Sequence, residues 1–151
     1  MEKLVFDSGI RSYSIGEGVL RFNPTDPNVY ARFMDAVEKI QAVEDNLVEQ
    51  GRKLDAESPE NGAQVVKLMA EADREVKEIL SDVFGGDNDF NCILGGVNLL
   101  AVGDNGERVI TNLLYALMPV LQDGAERCAR QQVGVAVGKA KQNRAQRRAK
   151  K

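Results

Sequence analysis

A chain of 151 residues, 28% of them charged, is long enough for one domain with a sizeable core. It contains no histidine, which removes the commonest general base and the commonest metal ligand. Its two cysteines, Cys92 and Cys128, form no CxxC pair and no zinc-ligand spacing. We therefore expect neither an enzyme nor a metal or cofactor site, and we interpret both cysteines as free thiols of an intracellular protein.

The charge is divided unevenly along the chain. Residues 1–138 carry 13 basic and 23 acidic side chains, a net charge of −10, whereas residues 139–151 carry seven Lys/Arg and no acid. This division predicts one acidic domain over 1–138 and a basic tail over 139–151. No apolar run has the length of a membrane span or the form of a signal peptide, so we expect a soluble cytoplasmic protein without membrane contact.

The first 25 residues are β-prone. Short runs at 11–15 and 19–22 flank Gly16-Glu17-Gly18, which predicts a β-hairpin. A lone hairpin is only marginally stable, so this one has to pack on helices or on a neighbouring subunit.

The first long helix is predicted to start at Asp26 and Pro27. The side chain of Asp26 can cap free backbone amides, and Pro27 suits the first helical position because its missing N–H has no partner there. Apolar residues then recur at near-heptad spacing, but Glu44 and Gly51 stand where that register requires apolar residues. We therefore expect a helix of roughly 25 residues that packs on the domain, and no free-standing coiled coil.

After a break at 57–62, a second helix is predicted to end at Phe84, because glycine at 85 and 86 takes the left-handed conformation that closes helices. Its apolar seam consists of Val65, Met69, Ala72, Val76, Ile79 and Val83. The two helices should form an antiparallel hairpin. The connector 85–106 combines glycines with apolar residues that require burial, which indicates a packed loop with a short helical turn.

The third helix is predicted over about 107–122, and Pro119 should kink or close it. Its wide apolar stripe consists of Val109, Ile110, Leu113, Leu114, Leu117, Met118 and Leu121. Asp123-Gly124 leads to a fourth helix near Ala125, and beyond Val137 the composition predicts a disordered segment or a solvated helical extension. The predicted fold class is mainly α: a helical hairpin or bundle of about four helices with a small N-terminal β-hairpin.

No motif indicates ligand chemistry. The glycine pairs fit neither GxxxxGK[ST] nor GxGxxG, and Asp87-Asn88-Asp89 lacks the later glutamate of a calcium loop. The tail cations could neutralise phosphates, but the tail has no aromatic residue to stack on bases, and the acidic domain opposes nucleic acid. We favour a solvated tail or one docked on an acidic protein. The tail cations in question are Arg144, Arg147, Arg148, Lys150 and Lys151.

Four segments carry a resemblance to a known family. VLRFNPTDP (19–27) leads into a long helix, ILSDVFG (79–85) is an acidic D-x-hydrophobic-F-G helix end, LYALMP (114–119) is an aliphatic-x-A-L-x-P helix, and NRAQRR (143–148) is basic. In this order and spacing they resemble the tail assembly chaperones of long-tailed (siphovirus-type) phages and prophages. The connector 88–106 matches no motif of that family.

The resemblance implies a small helical protein that acts during tail morphogenesis and is absent from the finished particle. It would bind the tape-measure protein, keep it soluble and help recruit subunits of the tail-tube (major tail) protein. An apolar groove between the first three helices would accept an amphipathic helix of this client. The residues that we expect to line this groove or the core are Phe33, Val37, Met69, Val76, Phe84, Leu113 and Leu117.

Two other functions stay open. A structural virion protein of the tail or of the head–tail joint would be found in purified particles. A nucleic-acid-binding accessory protein would act through the basic tail, and its binding would fall steeply with added salt and vanish without 139–151. Exposed apolar stripes also favour a homo-oligomer, which light scattering at two protein concentrations would test.

Overall fold

The computed structural model describes residues 1–54 and 59–150, which form two strands followed by four helices. The elements are β1 (Arg11–Ile15), β2 (Gly18–Phe22), α1 (Pro27–Arg52), α2 (Pro59–Phe84), α3 (Phe90–Ile93) and α4 (Val109–Ala149). The predicted fold class, mainly helical with an N-terminal antiparallel hairpin, is confirmed. The predicted break at 57–62 is wrong from Pro59 onward, where α2 has already begun, and its first two positions lie outside the described residues.

The hairpin packs on the end of α2. Strands β1 and β2 pair antiparallel, from Arg11 opposite Phe22 to Ile15 opposite Gly18. The ring of Phe22 is buried and lies 5.0 Å from that of Tyr13 and 4.8 Å from that of Phe84, measured between centroids. Aromatic contacts therefore supply the helical support that an isolated hairpin lacks.

Helix α1 begins as the sequence predicts. Its first residue is Pro27, and the Asp26 carboxylate accepts a hydrogen bond from the backbone N–H of Asn28 at 2.9 Å. The buried side chains recur every three or four residues and form the face that meets α2. These side chains are Val29, Phe33, Ala36, Ile40 and Val43.

Helices α1 and α2 run antiparallel, as predicted. Near the start of α1, the Arg32 guanidinium Nε donates to the backbone carbonyl of Val83 at 2.8 Å, while farther along α1, Leu47 lies beside Leu68. Helix α2 ends at Phe84, and Gly85 has a φ of +63°, the left-handed conformation that glycine adopts without strain.

The connector between α2 and α4 is a packed loop containing one short helical turn, as predicted. Asp89 caps α3 by accepting a hydrogen bond from the Asn91 backbone N–H at 2.9 Å. Farther on, Leu99 and Leu100 are fully buried and belong to the same core as the two long helices.

Helix α4 is continuous from Val109 to Ala149, so the predicted separation at Asp123-Gly124 is wrong, and Pro119 does not end the helix. Pro119 lies on the exposed side, whereas Gly124 is buried against the backbone of Pro24. A Cβ atom on Gly124 would overlap the Pro24 carbonyl oxygen, so the glycine permits a close approach and does not mark a turn.

The second half of α4 leaves the domain. Every residue from 129 to 150 is exposed. Of the two alternatives predicted for the tail, a disordered segment or a solvated helical extension, the structure has the helical extension over residues 139–149. Within 1–54 and 59–150, no helix has both the length and the hydropathy needed to cross a membrane.

Candidate functional site

The structure divides the seven candidate client residues into two groups. Phe33 and Val76 have no solvent exposure, and Phe84 and Leu117 are each 7% exposed, so these four belong to the core. The other three are half-buried and pack against that core: Val37, Met69 and Leu113. The four core residues would reach a client only if the domain opened.

The depressions between α1 and α2 have charged borders. Two of them are small: one of about 120 Å³ has Arg32 and Asp82 in its lining, and one of about 80 Å³ has Glu71. A larger one, of about 310 Å³, lies where α1 ends and has Lys53 and Lys67 in its lining. An amphipathic client helix needs a strip of uncovered apolar side chains, so the apolar surface of α4 is the stronger candidate.

The apolar stripe of α4 is wider than the part of it that is buried. Its buried centre consists of Ile110, Leu117 and Leu121. At about 100° per residue, Leu114, Met118 and Tyr115 follow in turn around the helix from this centre towards solvent. Leu114 and Met118 are half-buried, and Tyr115 is 72% exposed. We call these three residues the α4 flank.

A buried ion pair, which the sequence analysis did not identify, lies inside the domain. The Lys77 ammonium lies 2.9 Å from one Asp73 carboxylate oxygen, and the two side chains are 4% and 13% exposed. The other Asp73 oxygen accepts the backbone N–H of Leu99 at 2.7 Å. The pair therefore fixes the connector to α2. The opposite charges four residues apart are its sequence signal, but such pairs are usually exposed.

The Asp87-Asn88-Asp89 run has a structural role. The Asn88 side chain accepts the backbone N–H of Arg21 at 2.9 Å and donates to the Arg21 carbonyl at 2.7 Å. It thereby supplies hydrogen-bond partners for both backbone groups of one residue on the outer edge of β2. The neighbouring Asp89 caps α3. In the described part of the chain, no group of three or more acidic or cysteine side chains has the arrangement of a metal site.

Both cysteines are free in the structure. The Cys92 thiol donates to the Asp89 carboxylate at an S–O distance of 3.4 Å. This hydrogen bond, together with the negative charge of Asp89, raises the pKa of Cys92, which disfavours the reactive thiolate.

Glu44, which interrupts the apolar register of α1, is half-buried near Arg108 at the start of α4. Burial raises the pKa of its carboxyl, and the attraction of the Arg108 guanidinium only partly opposes this. A carboxyl whose pKa is higher in the folded state stabilises the fold fully below its unfolded pKa. That contribution is lost as the pH rises through the folded pKa.

Replacing Glu44 by Gln is therefore expected to raise the free energy of unfolding at pH 7 by about 0.5 kcal/mol. The gain should shrink towards pH 4, where glutamate is itself largely neutral. Urea unfolding of both proteins across this pH range measures the difference, with exposed Glu49→Gln as the matched control. A Glu44→Gln variant less stable than the parent at pH 7 would show that the Arg108 attraction dominates.

The predicted basic-tail residues lie on the exposed end of α4. Arg144, Arg147 and Arg148 are helical, Lys150 caps the helix, and Lys151 lies outside the described residues. They are therefore separate from the α4 flank along the same helix.

Comparisons with protein families, with curated proteins and with solved structures found no match to this chain.

Proposed function

We propose that this protein is a phage or prophage tail assembly chaperone that binds and solubilises the tape-measure protein and helps recruit tail-tube subunits. The observation that carries the proposal is the α4 flank, an apolar strip that the domain leaves partly uncovered. The resemblance of four ordered sequence segments to that family supports the choice of client.

The α4 flank has the chemistry needed to hold an amphipathic helix. Leu114 and Met118 are four residues apart and therefore lie one above the other on α4, with Tyr115 beside them. A client helix with apolar residues at i, i+3 or i+4 and i+7 would bury its stripe against them. The net charge of −10 over residues 1–138 would keep such a complex soluble by mutual repulsion.

The test is co-expression with the long helical protein encoded just downstream, followed by a tagged pull-down. We expect a soluble complex, and we expect Tyr115→Glu combined with Met118→Glu to lower its recovery about tenfold, which corresponds to the loss of one good interface contact. Ala116→Glu is the matched control, because Ala116 is exposed on another side of the same helix. Urea unfolding would verify that all variants stay folded.

One result would contradict this function and another would contradict the assigned surface. If no soluble complex forms with the parent protein and the protein is found in purified particles, it is a structural virion protein of the tail or head–tail joint. If the complex forms but tolerates Tyr115→Glu combined with Met118→Glu as well as it tolerates Ala116→Glu, the client binds at a surface other than the α4 flank.

A second candidate function is nucleic-acid binding, which the exposed basic helix over 139–149 favours. Its binding would depend on phosphate contacts, so the affinity should fall steeply with salt and disappear when residues 139–151 are removed. An electrophoretic shift assay at two salt concentrations decides whether it binds.

A further inference from the structure

The second half of α4 stands clear of the domain. Residues 129–150, which we call the α4 projection, are exposed throughout, and at 1.5 Å per residue they span roughly 33 Å. Gly134 and Gly138 lie within this segment and lower its helix propensity. Most helical stability in proteins comes from packing one face of the helix on other structure, so a partner along the α4 projection would supply what the domain does not.

One face of the α4 projection joins a valine to a line of cations. Val137, Lys141, Arg144 and Arg148 follow one another at steps of four, three and four residues, which places them one above the other. Val137 is 48% exposed. The α4 projection contains no acid, so this face presents an apolar start followed by uncompensated positive charge.

The outer side of α1 carries a line of the same spacing and the opposite charge. Met34, Glu38, Gln41 and Asp45 also follow at steps of four, three and four residues, and all four are exposed. We call these four residues the α1 strip. The two lines match position by position, because an apolar side chain comes first and the charged positions that follow carry carboxylates on α1 and cations on the α4 projection.

The charge of the α1 strip is not balanced by nearby cations. Within the described residues, Glu38 and Asp45 form no ion pair, and Asp45 accepts a hydrogen bond from a neutral side-chain amide at 3.0 Å. Arg32 and Lys39 face another way, since both line the depression against α2. The next cation along the helix, Arg52, lies roughly 10 Å beyond Asp45. Two carboxylates are therefore available to cations from another molecule.

The α4 projection of the same chain cannot reach this strip. Helix α4 runs antiparallel to α1, because Arg108 at its start lies near Glu44, whereas Gly124 lies against Pro24, just before α1. The α4 projection continues beyond Gly124 in the same unbroken helix. It therefore extends past the start of α1 and away from the α1 strip.

We propose that the α4 projection of one copy packs along the α1 strip of a second copy, in a reciprocal two-fold dimer. A two-fold axis perpendicular to the helices and close to Pro24 inverts the second copy, so that its α1 runs parallel to the α4 projection beside it. The two lines then meet in register, and each contact is made twice: Val137 covers Met34, Lys141 lies beside Glu38, and Arg148 lies beside Asp45. This inference concerns the protein alone and does not depend on the client.

Reversing the charges of one line tests the dimer, by light scattering and sedimentation of the full-length protein from low to high micromolar concentration. We expect the parent protein to dimerise. We expect Lys141→Glu with Arg148→Glu to raise the dimer dissociation constant about a hundredfold, because like charges then meet at every charged contact. Lys139→Glu with Lys150→Glu is the matched control, since it changes the net charge equally on the opposite side of the helix and should leave the dissociation constant nearly unchanged.

A mixture of two variants tests the pairing itself. A chain with Glu38→Lys and Asp45→Lys should also be monomeric, because its α1 strip then repels the basic α4 projection. Mixed with the chain that carries Lys141→Glu and Arg148→Glu, it should form a heterodimer, because both contacts then join opposite charges. A monomeric parent protein, a dimer indifferent to either reversal, or a mixture without a heterodimer would overturn the proposal.

A disulfide test determines the register. In a background with Cys92→Ser and Cys128→Ser, a chain with Met34→Cys is mixed with a differently tagged chain with Val137→Cys. We expect a crosslink between the two chains. We expect none when Met34→Cys is replaced by Val48→Cys, which is exposed on the same side of α1 roughly 21 Å away. A crosslink to Val48→Cys alone would show an antiparallel contact and would overturn the parallel dimer.

Discussion

Replacing Asp73 by alanine is expected to lower the free energy of unfolding by about 3–5 kcal/mol, the usual result of leaving one member of a buried ion pair alone. The Lys77 ammonium would lose a partner at 2.9 Å while its side chain stays 4% exposed. The Leu99 backbone N–H would lose its acceptor as well. Two buried donors would then be unpaired at the point where the connector meets α2.

Urea unfolding at pH 7, followed by circular dichroism, measures this loss. Asp73→Asn separates the loss of the ion pair from the loss of the hydrogen bond to Leu99. Asparagine retains an oxygen that can accept the Leu99 N–H, but it leaves Lys77 beside a neutral amide. Asp123→Asn is the matched control, since Asp123 and Arg127 form a pair of the same spacing, 3.2 Å apart, with side chains 63% and 31% exposed. This control should change stability by no more than about 0.5 kcal/mol.

A double replacement gives a further check on the same pair. Replacing Asp73 by Leu together with Lys77 by Met removes both charges, so only the Leu99 N–H is left without its acceptor. We expect this double variant to be more stable than Asp73→Ala, because no unpaired charge stays buried. Asp73→Leu and Lys77→Met are also measured singly, and a double variant as unstable as the sum of these two would show that the two charges act independently.

The ends of several elements were predictable because the residues that determine them are local. Asp26 and Pro27 begin α1 through a hydrogen bond to Asn28, only two residues away. Gly85 ends α2 because its own backbone conformation is left-handed. Gly16-Glu17 forms the tight turn between two paired strands. Each of these signals acts within a few residues and depends little on the rest of the fold.

The depth of burial was not predictable in the same way. Phe33 and Val37 lie four residues apart on one face of α1, yet Phe33 is fully buried and Val37 only partly. Periodicity identifies the face of a helix, whereas depth depends on what covers that face from distant parts of the chain. For the same reason, the sequence showed a wide stripe on α4 but not that its Leu114–Met118 side stays partly uncovered.

The polar pattern of α2 does not reveal that the ion pair is buried. Asp73 and Lys77 would ordinarily lie on a solvated face, because charged residues are almost never fully buried unless paired. Their burial results from the connector, whose Leu99 and Leu100 enter the core over α2. A groove of about 780 Å³ beside β2 has the same origin: its walls come from residues 8–10, β2, α1 and the 85–88 loop, segments that are distant in sequence.

Gly124→Ala is expected to lower the free energy of unfolding by about 1–3 kcal/mol or more, the range for overpacking a close-packed site. The alanine Cβ would overlap the carbonyl oxygen of Pro24, which is backbone and cannot rotate away. Pro24 is itself buried between β2 and the start of α1, so either α4 or the chain at 24 would have to shift.

Urea unfolding of Gly124→Ala measures this effect, and Gly134→Ala is the control. Gly134 lies in the same helix with no atom within 4 Å of a Cβ built there, so its replacement should not destabilise the protein and should increase helicity. Gly124 would be expected to tolerate alanine equally well if it lay on an open surface of the helix, as Gly134 does. Equal stability of the two variants would therefore contradict the packing of α4 against Pro24, whereas a loss confined to Gly124→Ala would support it.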